Sequence, residues 1–311
     1  MYGVASGGPD LPFWARPEPG SRRPRFSRQQ IARLAIEIAD AEGFEAVSMR
    51  RIATELGAGT MSLYHYVATK DELIALMDDA LMAEALVPRG ELPGDWRDAV
   101  AVLARHTRAA LLRHPWALLA LQESQFGPNA MAHFEQSLAA VAGTGLDRHE
   151  KFDLLALVDA YVFGTVLHAT EAKKRAAIAA ERPELVRAAI EYGLAQLRSG
   201  ELPHLAALFG GVDAATEAAL AATGETGRAT PAAAAAKAPA GSASSPTAGT
   251  PAGRASGGGA ARPTEPAPGA AAAAGPAVTE EALEEQFERG LQAVLEGAAR
   301  TMRIPRRARR R

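Results

Sequence analysis

The sequence predicts an all-α protein, and three observations support that fold class. Apolar residues recur at the three- and four-residue spacing of an amphipathic helix along most of the chain, as in Ile31, Leu34, Ala35 and Ile38. Between residues 95 and 209, the alternation of apolar and polar residues that is typical of strands is absent. Ser and Thr residues that can cap helix N-termini, and Gly residues that can end helices, stand at the boundaries of these stretches.

The first two predicted helices are marked by their N-caps. Ser27 and Gln30 form a capping box, in which each side chain bonds the backbone N–H of the other residue, and this helix ends at Gly43. Ser48 is a suitable N-cap for the second helix. One face of the second helix carries three apolar residues, Ile52, Ala53 and Leu56. We expect this face to pack and the charged residues beside it to face solvent.

A glycine turn separates the second helix from the third. The run Gly57-Ala58-Gly59 ends the second helix, because glycine tolerates the left-handed backbone that a sharp corner needs. The third helix is predicted from Thr60 to Val67, with Leu63 turned inward and Met61 and Val67 as further inward candidates. A second capping box, Thr69 to Glu72, then begins a longer fourth helix.

The stretch from Arg50 to Lys70 has the layout of a bihelical DNA-reading unit. The third helix carries uncharged hydrogen-bonding side chains that suit a major groove: Thr60, Ser62, Tyr64, His65 and Tyr66. Taken alone, this pattern fits a small helical core with a polar surface equally well. The capping boxes on either side, the glycine turn and the Leu-Tyr-x-Tyr-Val run together favour DNA binding.

Residues 26–86 resemble the tetracycline-repressor (TetR) family of transcriptional regulators in both residue type and spacing. The residues that carry this resemblance are Ala39, Gly43, Ser48, Met49, Arg50, Ile52, Ala53, Leu56, Gly57, Leu63, Tyr64, Tyr66 and Lys70. The resemblance implies an N-terminal three-helix helix-turn-helix domain, joined by a longer helix to a C-terminal α-helical domain for ligand binding and dimerisation.

The same resemblance implies roles for individual residues in binding DNA. Phosphate contacts fall on Ser48, Tyr64 and Lys70, and contacts to bases fall on a second set: Arg50, Thr60, Met61, Ser62 and His65. Tyr66 is included as a DNA-contacting position, although His or Phe is common at that place in the family.

Composition restricts the remaining classes of function. The 311 residues include no cysteine, which excludes disulfide scaffolds, thiolate metal sites and cysteine nucleophiles and fits a reducing cytoplasm. The first ten residues, MYGVASGGPD, lack the features of a secretory signal. The longest apolar stretch, Leu154 to Leu167, is broken by Asp159, so we expect it to be too short to span a bilayer.

The formal net charge is only −2, so the distribution of charge matters more than its sum. Basic residues concentrate before and within the DNA-reading unit: Arg16, Arg22, Arg23, Arg25, Arg28, Arg33, Arg50, Arg51 and Lys70. Residues 1–25 are rich in Gly, Pro and Arg and are predicted to form a flexible basic arm, which either reaches DNA or has no binding role. Residues 304–311 form an Arg-rich tail, for which a solvated role is favoured over DNA contact.

The second half of the chain is predicted to hold one helical domain with an insertion. Residues 223–278 are almost entirely Ala, Gly, Pro, Ser and Thr, a composition that buries too little apolar area to fold. Helical order returns after Thr279, an N-cap, in a stretch that resembles the last helix of the TetR-like regulatory domain. We therefore assign residues 92–222 and 279–303 to this domain; the alternative is an independent tail helix.

The resemblance also implies the partners. The family dimerises through a four-helix bundle, here the helices beginning near Asp147 and Thr279, and a homodimer can read a palindromic operator in double-stranded DNA. The regulatory domain encloses a small-molecule effector, whose identity the sequence does not show. Candidate ligand contacts are polar residues on otherwise apolar faces: His106, Gln122, His133, Asp159, Tyr161, Thr165 and His168. For each, a hydrogen-bonded core or interface role is the alternative.

The predicted function is thus a dimeric repressor that a small molecule releases from DNA. An enzyme with a DNA-binding appendage is disfavoured, because no nucleophile-elbow pattern and no paired metal-ligand histidines occur, and no cofactor or metal is expected. An effector-independent activator or architectural DNA-binding protein remains the alternative.

Overall fold

The computed structural model describes residues 13–18, 26–120, 127–211, 213–216 and 279–305. These residues contain helices and no strand, which confirms the all-α prediction. The helices are α1 (Arg28–Glu42), α2 (Met49–Glu55), α3 (Thr60–Tyr64), α4 (Lys70–Ala85), α5 (Trp96–Arg113), α6 (Ala117–Ala120), α7 (Pro128–Ala140), α8 (Arg148–Glu181), α9 (Pro183–Arg198), α10 (Pro203–Leu208) and α11 (Glu280–Thr301). Short 3-10 helices lie at Phe13–Ala15, Phe44–Ala46 and Ala142–Thr144.

The N-terminal helix-turn-helix domain is built from α1 to α4 around one apolar core. Both bonds of the capping box at Ser27 and Gln30 are present, and the Ser48 hydroxyl accepts from Arg51 N at 3.2 Å. The core between these helices consists of side chains that are almost fully buried: Ile31, Ala35, Ile52, Ala53, Leu63, Val67, Leu73 and Met77. The periodicity of the sequence therefore identified the packed faces of α1, α2 and α4, and on α3 it identified Leu63 but not the exposure of Met61.

Of the two hydrogen bonds of the second predicted capping box, one is present. Thr69 accepts from Glu72 N at 3.2 Å, as predicted. The Glu72 carboxylate, however, accepts from Ala68 N at 2.6 Å instead of returning to Thr69, and it also pairs with Arg16. The reason is that a cation from outside the helix competes for this carboxylate.

The prediction of a flexible arm over residues 1–25 is wrong for residues 13–18. Phe13 is 3 % exposed, and the guanidinium of Arg28 lies over its ring, 4.5 Å from the centroid. The physical reason is that Phe13 and Trp14 supply aromatic surface that a Gly- and Pro-rich composition average conceals. The other residues of the predicted arm lie outside the described residues, as do the insertion at 223–278 and most of the Arg-rich tail.

The chain divides into two compact units by contact. One comprises residues 1–174 and 279–311, and the other residues 175–278. In the first unit, α4 packs against α1 as well as against α5 and α7, so the helix-turn-helix core continues into the helices that follow it. The second unit contains α9 and α10, whose connection is fixed by capping bonds at Ser199.

Helix α11, which follows the low-complexity stretch, packs in the first unit against α5 and α8. Phe287 is 1 % exposed, with the Arg108 guanidinium 4.4 Å from its ring centroid and the Tyr161 ring stacked at 5.8 Å. Arg105 forms a two-pronged ion pair with Glu288 at 2.6 and 2.7 Å. A Cβ at Gly290 would lie 2.7 Å from Tyr161 Cζ, so only glycine fits this approach. Through these contacts, α11 is joined to α5 and α8.

Helix α8, Arg148–Glu181, is long and apolar along much of its length. By length and composition it is able to cross a membrane, since its best 18-residue window has a mean hydropathy of 1.5, and 28 % of that window is buried. The expectation of a stretch too short to span a bilayer is therefore wrong, because Asp159 does not end the helix. One face of α8 is buried through Leu154, Val158 and Val162, while Phe163 and Leu167 on another face are each 47 % exposed.

Candidate nucleic-acid interface

Helices α2 and α3 meet at a tight corner that presents α3 to solvent. Gly57 has φ +59°, the left-handed backbone predicted for this turn. Leu63 is fully buried and anchors α3, which spans only Thr60–Tyr64 and is shorter than predicted. On the outward side, Met61 is 75 % exposed and Tyr64 is 44 % exposed. Met61 is therefore not an inward residue but part of the candidate DNA-reading surface.

The remaining predicted DNA contacts flank this surface. His65 caps the end of α3 and is exposed, while Thr60 and Ser62 are partly exposed. Arg50 is exposed on α2. Lys70 is exposed at the start of α4, with its ammonium 5.5 Å from the centroid of the Phe44 ring. Ser48 is exposed, and its oxygen accepts the α2 capping bond, so its hydroxyl hydrogen is free to donate.

Tyr66 does not fit the predicted role of contacting DNA. Its side chain is 8 % exposed, and its ring lies 4.9 Å from the ring of Phe26, centroid to centroid. Burial against an aromatic neighbour explains why a large aromatic residue stands at this position. We therefore correct the assignment of Tyr66 from a DNA contact to a core residue.

The surface around the helix-turn-helix is less basic than the number of its arginines suggests. Arg51 is held between Glu42 and Glu55, and these hydrogen bonds raise the pKa of its guanidinium. Arg16 pairs with Glu72. Arg28 lies in contact with Phe13, and burial is the main cause that lowers its pKa. Three cations that the sequence assigned to a DNA-facing surface thus have partners within the protein.

Sequence reasoning missed the contribution of residues 13–18 to this end of the molecule. A Phe-Trp pair followed by Arg16, within a run otherwise dominated by Gly and Pro, was the signal that could have revealed it. Flexible segments contain few large aromatic residues, so two adjacent ones indicate packing. The Phe13 ring packs under Arg28 of α1, and Trp14 lies beside Gly127 at the start of α7.

Two of the candidate ligand contacts are engaged in packing. The Tyr161 hydroxyl donates to Phe287 O at 2.9 Å and thereby holds α11 against α8. The Thr165 hydroxyl donates to Val162 O at 2.8 Å, within its own helix. For both residues, the structural alternative accounts for the polar group.

The other candidates lie on several helices, His106 on α5, His133 on α7, and Asp159 and His168 on α8. His133 Nε2 lies 3.0 Å from the Thr107 hydroxyl, and burial lowers the pKa of His133. Burial also raises the pKa of Asp159, to about 6, although its side chain remains accessible at one edge of α8. His106 is partly exposed and His168 is exposed, whereas Gln122 lies outside the described residues. Among the described members of this set, no hydrogen bond joins one candidate to another.

A cavity of about 270 Å³ lies elsewhere, between the α4–α5 connection and the end of α7. Its walls are Leu92, Pro93, Gly94, Trp96, Ala139, Ala140, Gly143 and Pro305. None of the predicted ligand contacts lines it. Among the described residues, no group of three or more His, Asp or Glu side chains is placed to hold a metal ion.

Two polar clusters connect the helix-turn-helix core to the helices that follow. Asp79 on α4 is buried and accepts from Asn129 N and Asn129 Nδ2, both at 2.8 Å, at the start of α7. In the second cluster, His114 Nδ1 lies 2.8 Å from an Asp40 carboxylate oxygen on α1, and its Nε2 lies 3.3 Å from Glu84 on α4. A shift of α4 therefore changes contacts with both α7 and the α5–α6 connection.

Two regions of the chain match models of known families. Residues 31–77 match "Bacterial regulatory proteins, tetR family", and residues 89–220 match "Tetracyclin repressor-like, C-terminal domain". The HTH-type transcriptional repressor DrrR1 of Streptomyces coeruleorubidus is 38 % identical over 198 residues, which cover 62 % of this chain and 72 % of that relative. An HTH-type transcriptional regulator of Saccharopolyspora erythraea is 38 % identical over 174 residues, covering 53 % of this chain and 73 % of that relative.

The fold comparison agrees with these matches. Apo ActR from Streptomyces coelicolor has a TM-score of 0.52 and 21 % sequence identity, with 90 % of this chain and 99 % of ActR covered. The matched families regulate transcription and are not enzymes. The exposed α3, seated on Leu63 behind a glycine corner, lies within the first matched region. This chain therefore belongs to the TetR family of transcriptional regulators.

Proposed function

We propose that this regulator is a homodimeric repressor that binds a palindromic operator and is released from it by a small molecule. The observation that carries the proposal is the surface formed by α3, where Met61, Tyr64 and His65 are exposed around a buried anchor at Leu63. A helix held in this way inserts side chains into a major groove. The relative DrrR1, named a transcriptional repressor, supports repression as the direction of control.

We assign the exposed residues around α3 to two roles in binding DNA. Ser48, Tyr64 and Lys70 contact phosphates and fix the position of the protein on the duplex. Base edges are read by Arg50, Thr60, Met61, Ser62 and His65. The Met61 side chain is large, apolar and 75 % exposed, which suits contact with a thymine methyl group.

The division of roles predicts opposite outcomes for two substitutions. After duplexes have been selected from a random pool with the full-length protein, Lys70→Ala should weaken binding to selected and random duplexes alike. The log–log salt dependence should become shallower by about 1.8 per dimer, or about 0.9 for the phosphate lost in each subunit. His65→Ala should instead change base preference by about 1 to 3 kcal/mol at one position. Fluorescence anisotropy over a salt series measures both. Altered sequence preference in Lys70→Ala, with unchanged general affinity, would contradict the assignment.

The dimer interface is proposed on α8 and α11. Leu157, Phe163 and Leu167 are 44 to 47 % exposed on the part of α8 that does not face its own core. Large apolar side chains along one side of a helix are typical of a subunit interface. A bundle of two helices from each subunit covers them and accounts for the apolar surface of α8 without a membrane.

A charged residue in this surface should separate the subunits. Phe163→Glu should shift the mass in solution from about twice 32.5 kDa to that of one chain, because a carboxylate in an apolar interface is strongly unfavourable. Sedimentation equilibrium measures this mass. Met131→Glu is the matched control, since Met131 is 55 % exposed on α7, outside the proposed bundle, and it should leave the mass unchanged. Equal behaviour of the two variants would rule out the α8 interface.

Release by a ligand is proposed to act through α4. A small molecule bound in the regulatory domain shifts α4 relative to α7 and thereby changes the spacing of the two recognition helices. It does so because it binds the DNA-free conformation more tightly than the DNA-bound one. His106, Gln122, His133, Asp159 and His168 remain the proposed ligand contacts. Screening compounds for release of the selected duplex tests this step. An effector-independent activator or architectural protein is the alternative, and it predicts that no compound releases DNA.

The organisation of the chain is proposed to follow the same scheme. Residues 26–86 form the DNA-binding domain, and residues 92–222 with 279–303 form the regulatory domain, interrupted by the insertion at 223–278. The contacts of α11 with α5 and α8 support joining the two parts of the regulatory domain. We place the protein in the cytoplasm, where its DNA partner lies.

A further inference from the structure

Residues 13–18, here called the strap, form a structured element outside the matched helix-turn-helix region of residues 31–77. Phe13 is buried in the same hydrophobic core as the inward residues of α1 to α4. Two arginines lie over its ring, Arg28 at 4.5 Å and Arg16 at 5.3 Å from the centroid. A cation held over an aromatic face in a buried setting has a favourable interaction with the ring and a restricted position.

Arg28 connects the strap to the end of the recognition helix. Its Nε donates to Tyr66 O at 3.2 Å, two residues beyond α3, and one of its terminal nitrogens donates to Arg16 O at 2.9 Å. Its backbone N–H donates to the Glu18 carboxylate at 3.1 Å. The planar guanidinium thus joins two backbone carbonyls and a ring face with fixed geometry, which a lysine cannot reproduce.

Arg16 holds the other side of the same corner. Its guanidinium pairs with Glu72, and that carboxylate also accepts from Ala68 N at 2.6 Å. The residues between α3 and α4 are therefore fixed at Tyr66 by Arg28 and at Ala68 by Glu72. Both restraints depend on the strap, directly for Arg16 and through the Phe13 ring for Arg28.

The recognition helix needs such external support. It has only five residues, Thr60–Tyr64, and within it only Leu63 is buried. A helix this short is not stable on its own, since helix nucleation is unfavourable. Its orientation must therefore be set by the glycine corner before it and by the corner after it.

We propose that the strap is a positioning element of the DNA-reading surface, and that Arg28 acts on DNA binding through Tyr66 and not by contacting phosphate. This inference rests on the proposed function for its effect on DNA. The positioning itself is a property of the free protein and can be measured without DNA.

Phe13→Ala tests the strap without changing any charge. In the full-length protein, hydrogen exchange of the amides from residues 64 to 68 should become about tenfold faster relative to amides of α5, because the corner loses a restraint. Affinity for the selected duplex should fall about tenfold, with an unchanged salt slope, because no phosphate contact is removed. Phe13→Leu, which keeps apolar volume but loses the ring face, should give a smaller change in the same direction and serves if the alanine variant does not fold.

Arg28→Gln and Arg33→Gln form a matched pair, since both remove one positive charge from α1 and Arg33 is exposed. The first should repeat the exchange and affinity changes of Phe13→Ala with the salt slope unchanged. The second should leave the exchange at residues 64 to 68 unchanged. A salt slope lowered by about 1.8 per dimer in Arg28→Gln, or about 0.9 per subunit, with normal exchange, would identify a phosphate contact and overturn the proposal.

Unchanged exchange and affinity in Phe13→Ala would overturn it as well. If the wild-type protein bound no duplex at all, the proposed function would fail. The exchange measurements on the free protein would still decide whether the strap holds the corner.

Discussion

Gly127→Ala should lower the stability of the protein by about 1 to 3 kcal/mol, the typical range for overpacking a well-packed site. A Cβ at this position would lie 2.5 Å from Asp79 Cγ and 2.7 Å from Trp14 Cζ2. The Asp79 carboxylate cannot retreat without losing its bonds from Asn129 and Ala130 N. Thermal unfolding followed by circular dichroism measures the loss, at roughly 2 to 4 °C for each kcal/mol in a domain of this size.

Gly59→Ala is the control for this substitution. Gly59 has φ −75°, and a Cβ there meets no described atom within 4 Å, so the melting temperature should change by no more than about 2 °C. Equal melting temperatures for the two alanine variants would show that the approach of α7 to α4 at Asp79 is looser than described.

Phe287→Ala should have a comparable or larger effect, about 3 to 5 kcal/mol, because it empties a fully buried aromatic site. The ring is 1 % exposed and carries both the Arg108 guanidinium and the stacked ring of Tyr161. Its loss leaves Arg108, itself 7 % exposed, beside a cavity. Urea unfolding of the full-length protein gives the change in free energy.

Gln292→Ala, on the exposed side of the same helix, is the matched control and should change stability by less than about 0.5 kcal/mol. If Phe287→Ala were equally mild, α11 would be an independent tail helix and the insertion would instead separate two structural units. A large loss for Phe287→Ala alone would support the assignment of α11 to the regulatory domain.

The parts of the fold that depend on local pattern could be predicted from sequence. The cap at Ser27, the glycine corner at Gly57 and the N-cap at Thr279 are each determined by a few neighbouring residues, and the structure has all three. The ends of α9, Pro183–Arg198, are likewise marked by local sequence, with Pro183 in its first turn and Gly200 just beyond its last residue.

Contacts between distant residues could not be predicted in the same way. The burial of Tyr66 requires Phe26, and the half-formed capping box at Glu72 requires Arg16, 56 residues earlier. Nothing within a helical turn of either residue indicates these partners. The number of arginines overstated the basic character of the predicted DNA-facing surface for the same reason. A sequence shows how many arginines there are but not which of them pair within the protein.

The packing of α11 on α5 and α8 also determines how late in synthesis the core of the first unit is completed. Arg105 precedes its partner Glu288 by 183 residues, so at about 5 to 20 residues per second the ribosome needs roughly 10 to 40 s to deliver the matching helix. Once α8 has been synthesised, the sides of α5 and α8 that receive Phe287 stay open to water until α11 follows. A nascent chain stalled within residues 223–278 therefore displays apolar surface of the kind that chaperones bind, until Thr279 and the residues after it emerge.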